Sequence, residues 1–115
     1  SPVLAAKIGI ADPSEPVPTV KVKTKKKARV GKPLKIAWKA KVDGGKQALA
    51  YHDVLLSRDG GTTFELIATG LLGPAHKTKW TVAGAASENA VVKVVTWTKA
   101  LQRGEGTSRP LRIVP

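Results

Sequence analysis

The stretch Leu34–Val42 restricts the fold more than any other part of the chain. Leu34, Ile36, Trp38, Ala40 and Val42 alternate with Lys35, Ala37, Lys39 and Lys41. Apolar side chains at every second position over nine residues put one face of an extended strand into a core and the other into water. Wound as a helix, the same residues would mix Lys35 and Lys39 into the apolar stripe.

Further short strands follow from the same reading. Val20 and Val22 alternate with Lys21 and Lys23. Tyr51–Ser57 is apolar on both faces at Val54, Leu55 and Leu56, which predicts a central strand. Phe64–Ala68 is a fourth candidate. Lys77–Val82 alternates with Thr78, Trp80 and Val82 inward. Ala90–Trp97 is valine-rich, and Pro110–Val114 closes the set. Turns are expected at Lys25–Arg29, Asp43–Gly45, Asp59–Gly61, Gly70–Pro74, Ala83–Asn89 and Gly104–Gly106. Seven strands at this spacing predict an all-β, seven-stranded antiparallel sandwich of the immunoglobulin-like pattern, spanning residues 18–115. Residues 1–17 read as a linker or lead-in, punctuated by Pro2, Pro13 and Pro16.

Composition narrows the setting. A chain of 115 residues is one domain. It has no cysteine, so neither disulfides nor cysteine-ligated zinc hold it together. It has no methionine either and opens Ser1-Pro2-Val3, and we read it as an excised piece of a longer polypeptide. Val3–Ala11 is too short for a membrane span and carries Lys7.

With these residues in place, a resemblance emerges. Leu34-Lys35-Ile36-Ala37-Trp38 resembles the second strand of fibronectin type III domains, and Gly104–Ser108 resembles that family's loop between its last two strands. Ala90 stands near the place of the family's sixth-strand tyrosine. Trp38, the Ser57–Thr63 turn and Trp80-Thr81-Val82 together are similar to a loose class of modules from bacterial surface proteins and exoenzymes. The resemblance implies an extracellular or cell-surface location and neighbouring domains of the same chain as partners.

Ser57, Asp59, Gly61, Thr63 and Phe64 fit an Asp-box spacing. We read them as a structural turn: the aspartate collects donors within a hairpin while the glycines take positive φ. Calcium at Asp59 is the competing reading, although such a site wants six or more oxygens. His52 and Asp53, as strand neighbours, point to opposite faces and cannot form an acid–base pair. We expect His52 and His76 to be surface or rim residues. Ser57 lacks a nucleophile elbow, and the eight acids are scattered. No catalytic residue, metal or cofactor is expected, so the chain reads as no enzyme. Trp38 and Trp80 are expected in the core; Trp97 is open between packing and exposure.

Charge carries the functional signal. Twenty Lys and Arg stand against eight Asp and Glu. Between Lys21 and Lys46 there are eleven cations and one acid, Asp43. Lys35, Lys39 and Lys41 share the outer face of one strand, and Lys21 and Lys23 a face of another. If those strands pair, these five lysines form a basic surface suited to an anionic polysaccharide or another polyanion. Lysine dominance without interleaved aromatics argues against sequence-specific nucleic-acid reading. The expected function is a non-catalytic extracellular spacer or interaction module. The second reading is an accessory carbohydrate-binding domain of a secreted hydrolase, marked by an exposed aromatic platform.

Overall fold

A computed structural model describes residues 15–115. The expected lead-in therefore lies outside the described residues up to position 14, as does Val3–Ala11. The strands are β1 (Thr19–Lys23), β2 (Lys27–Arg29), β3 (Pro33–Lys41), β4 (Leu49–Ser57), β5 (Glu65–Leu72), β6 (Lys77–Thr81), β7 (Ser87–Thr98), β8 (Arg103–Thr107) and β9 (Leu111–Val114). Among the described residues no helix is long and apolar enough to cross a membrane.

The strands form two sheets. The small one has the order β1-β3-β6 and is antiparallel throughout. The large one runs β2-β9-β7-β4-β5, with β8 also paired to β7. β7 is twelve residues long and uses one edge twice. Ser87 and Ala90 face Ile113 and Leu111 of β9, while Lys93–Trp97 pair with Thr107–Arg103 of β8. Pro110 cannot donate to a ladder, and Ser108 bridges the interruption. Its backbone N–H donates to the Val92 carbonyl, and its Oγ accepts from Val92 N–H.

The inward side chains of the two sheets make one core. Leu34, Ile36 and Trp38 of β3 meet Val54 and Leu56 of β4, Val92 and Val94 of β7, and Leu111 and Ile113 of β9. Each such side chain, once buried, contributes about 1.5–3 kcal/mol through the hydrophobic effect. Trp80 is half-buried and packs against this cluster.

The alternation read from Leu34–Val42 is β3, and Tyr51–Ser57 falls within β4, flanked on both sides by β7 and β5. Four expectations need correction. Among the described residues there are nine strands, not seven. The expected turn at Lys25–Arg29 contains β2, a three-residue strand too short to alternate; it pairs with β9 in parallel, so the set is not wholly antiparallel. Gly70 lies within β5, which runs on to Leu72 across register shifts opposite Val54. Gly104–Gly106 is not a turn but part of β8.

Those two glycines have a different physical purpose. The backbone of β1 crosses β8 so closely that a Cβ on Gly104 would lie 2.0 Å from the Pro18 carbonyl oxygen, and one on Gly106 would lie 2.1 Å from that of Val20. They let the two sheets touch at this edge. Gly106→Ala forces backbone apart and should destabilise the fold by about 1–3 kcal/mol or more, the usual range for overpacking. Thr107→Ala, next along the strand and exposed, should stay within about 0.5 kcal/mol of the parent. Urea midpoints of the two variants measure the difference.

Candidate functional site

Strand pairing turns the basic run into a surface. On the solvent side of the small sheet, β1 contributes Lys21 and Lys23, β3 contributes Lys35, Lys39 and Lys41, and β6 adds Lys77 and Lys79. All seven are exposed. Lys21 stands directly opposite Lys39, and Lys35 directly opposite Lys79. Lys23 and Lys77 flank Ala37 on the same row. The remaining outward positions are Thr19, Pro33, Ala37 and Thr81, so the face holds no acid. Same-face neighbours lie roughly 6.5–7 Å apart along a strand and about 4.8 Å apart between strands. Sequence reasoning singles out five of these lysines. Lys77 and Lys79 are legible as outward-facing, but only the β3–β6 pairing brings them onto the same surface.

The acids sit elsewhere. Glu65 pairs with Arg58 at 2.8 Å, and Glu105 with Arg103 at 2.8 Å and Lys93 at 3.6 Å. Glu88 lies 4.0 Å from Arg112. Asp53 accepts from the Thr69 hydroxyl and from Gly70 N–H. Among the described residues, none of the seven lysines of the small sheet takes part in an ion pair.

The Ser57–Phe64 segment closes on itself. Asp59 Oδ1 accepts from the Ser57 hydroxyl at 2.7 Å, from Thr62 N–H at 3.1 Å and from Thr63 N–H at 2.9 Å, and Oδ2 accepts from the Thr63 hydroxyl. Ser57 Oγ in turn accepts from Gly61 N–H at 2.8 Å. Gly60 and Gly61 hold φ of 78° and 104°, where a side chain would be strained. The Thr63 hydroxyl and N–H, followed by the Ser57 hydroxyl, hold the Asp59 carboxyl well below the usual carboxylate range. Phe64 carries the Lys93 ammonium 3.9 Å from its ring centroid. Arg58 spans from Glu65 to the carbonyls of Ala83 and Ala85, tying this hairpin to the loop before β7. Among the described residues no group of three or more metal-ligating side chains comes together.

His52 is not at the surface, contrary to the expectation from sequence; it is fully buried between the sheets. The Gly73 carbonyl, 3.0 Å away, can only accept, so His52 Nε2 carries the proton and Nδ1 accepts from the Thr96 hydroxyl at 2.7 Å. Burial pushes its pKa down, opposed by the Gly73 bond and by the Asp53 charge. Asp53 points to the opposite face, as alternation requires, and His76 is exposed. Trp97 lies on the outer face of the large sheet, half-buried, with its ring stacked on Tyr51 at 6.1 Å and 22°.

Set beside known proteins, the chain matches no family model and no curated relative. Fold and site together define an all-β, two-sheet domain whose small sheet presents a uniformly cationic face.

The buried histidine and the closed turn each give stability a pH dependence. An unfolded histidine titrates near roughly 6.5, while His52 in the fold titrates lower. Below that pH the unfolded chain takes up the proton first, so stability falls with acidification until the folded pKa is reached. The melting temperature should drop between pH 7.5 and 5, and His52→Gln, less stable at neutral pH, should flatten that drop. For Asp59 the contribution is present above the unfolded carboxyl pKa of roughly 3.9 and is lost as pH falls below it. Asp59→Ala should lower the melting temperature at pH 7 equally with calcium and with a chelator. A calcium-dependent rise seen only with Asp59 present would replace the turn by a metal site.

Proposed function

We propose that this chain is a non-catalytic module of an exported multidomain protein, and that it lays an anionic polymer along the outer face of its small sheet. One observation carries the reading: seven lysines on three paired strands, two pairs of them directly opposed, with no acid among them. Like charges placed opposite one another in a sheet destabilise it. A face that only needed solubility would intersperse acids, as the Glu105 cluster on the large sheet does. A polyanion relieves the repulsion and releases its own condensed counterions on binding.

The finer fold assignment belongs to the same proposal. Small-sheet order β1-β3-β6 against β9-β7-β4-β5, with β8 and β9 sharing one edge of β7, suits an immunoglobulin-like or fibronectin type III-like sandwich. β2 then serves as an accessory edge strand. The extracellular location rests on the likeness of Trp38, the Ser57–Thr63 turn and Trp80-Thr81-Val82 to modules of surface proteins. The non-catalytic reading is supported by His52, enclosed in the core, and by Ser57, whose hydroxyl is committed to Asp59.

A second reading has its own observation. The Tyr51–Trp97 stack is half-exposed and lies on the row that also carries Leu72, 73% exposed. Aromatic side chains so placed suit a neutral glycan, as an accessory carbohydrate-binding domain would use.

Retention on immobilised heparin and on duplex DNA across a salt series distinguishes the two. The parent should bind both at low salt without sequence preference. Lys35→Gln, Lys39→Gln and Lys41→Gln combined should bind more weakly. Their combination should also flatten the salt slope by roughly one unit for each anionic group that the protein no longer neutralises. The same variant should melt at an equal or higher temperature, because repulsion has been removed. No retention of the parent at low salt would overturn the polyanion reading. Salt-insensitive binding of a neutral glycan, abolished in Trp97→Ala, would favour the second.

A further inference from the structure

Ala37 is the low point of the lysine face. It stands at the middle of β3, half-buried, with a single methyl where its outward neighbours on the strand carry long side chains. Lys23 and Lys77 stand directly opposite it on either side, with Cβ atoms about 4.5–5.5 Å away. Lys35 and Lys39 lie two residues away along its own strand, at roughly 6.5–7 Å. Lys21 and Lys79 occupy the diagonal positions, at about 7–8 Å. Six of the seven lysines therefore ring one small residue, and Lys41 stands outside the ring. On the β6 side, Lys35, Lys77, Thr78 and Lys79 line a depression of about 470 Å³, within the size range of small-ligand sites.

We propose that this ring is a subsite for the clustered sulfate esters of a sulfated polysaccharide. This rests on the polyanion reading and deepens it by naming the ligand class. Six ammonium groups around one methyl concentrate more positive charge than a single anion offsets. A sugar carrying several sulfate esters brings several charges to that point. A polyuronate brings one carboxylate per sugar, and a nucleic acid one phosphate per nucleotide. Each lysine is a compact point charge on a flexible stem with three rotatable donors, so it follows sulfate oxygens in any orientation, where arginine's rigid fork would select one geometry. The lysine methylenes and the Ala37 methyl offer apolar surface to the C–H face of a sugar. Pro33 and Thr81, paired on the row beyond Lys35 and Lys79, add an apolar ring and a hydroxyl without charge. Those two groups suit a sugar and do nothing for a bare polyphosphate.

The test titrates the intact domain with sucrose octasulfate, with tetragalacturonate and with linear polyphosphate, matched in total charge. In ¹H–¹⁵N spectra the backbone amides of Lys23, Ala37 and Lys77 should move with sucrose octasulfate at concentrations several-fold below those that tetragalacturonate needs. Lys77→Gln should weaken sucrose octasulfate several-fold more than Lys41→Gln does, although each removes one charge. Ala37→Val keeps every lysine and fills the low point. It should weaken sucrose octasulfate several-fold, with the melting temperature and the retention on duplex DNA unchanged. If Lys41→Gln and Lys77→Gln weaken binding equally, the ring fails as a subsite and the polyanion reading survives. If sucrose octasulfate moves no amide and heparin is not retained, both fail. Equal binding of tetragalacturonate overturns the requirement for clustered charge. Equal binding of polyphosphate, with the same sensitivity to Ala37→Val, overturns the choice of a sulfated sugar.

Discussion

The register of β3 decides both the inside and the outside of the small sheet. Leu34, Ile36 and Trp38 enter the core because Lys35, Lys39 and Lys41 do not, and a slip of one residue would exchange the two sets. β3 is also the middle strand, paired to β1 on one side and β6 on the other. Its apolar packing against the large sheet therefore fixes where the lysines of all three strands stand. Val22 opposite Trp38 and Trp80 opposite Leu34 fill the inner face, while Lys21 opposite Lys39 and Lys79 opposite Lys35 fill the outer one. Hydrophobic burial holds in place an arrangement of charge that electrostatics alone would disperse.

That division extends through the molecule. The described acids that form ion pairs do so with Arg58, Lys93, Arg103 and Arg112, on or beside the large sheet. Asp53 and Asp59 are occupied by local donors. Seven of the cations that form no ion pair thus share one face with no acid among them. A concentrated field attracts a polymer from further away and holds it in a more defined orientation than the same net charge distributed over the surface.

Alternation makes β3, β4, β6 and β7 legible in the sequence, because a half-buried strand writes its two faces into neighbouring residues. Two elements leave no such mark. β2 has three residues and gains its place by pairing with β9, more than 80 residues further along the chain. β8 is masked by Gly104 and Gly106, which resemble turn glycines yet serve the approach of β1. His52 is legible as a strand residue but not as a core one: its polarity suggests water, and nothing local reveals that Thr96 and Gly73 supply its partners. The lysine face is legible to five members, since the union of β6 with β3 depends on the fold as a whole.

Most polar groups that this fold buries are satisfied. His52, Ser57, Thr96 and Ser108 all make hydrogen bonds, and Arg58 spans three acceptors. Against that background Leu101, held at φ 66° in the loop between β7 and β8, and two features of β3 stand out. β3 carries the opposed lysines on its outer side and the unpartnered indole of Trp38 on its inner side. The opposed lysines repel one another across the strands, and the burial of Leu34, Ile36 and Trp38 beneath them holds them in register.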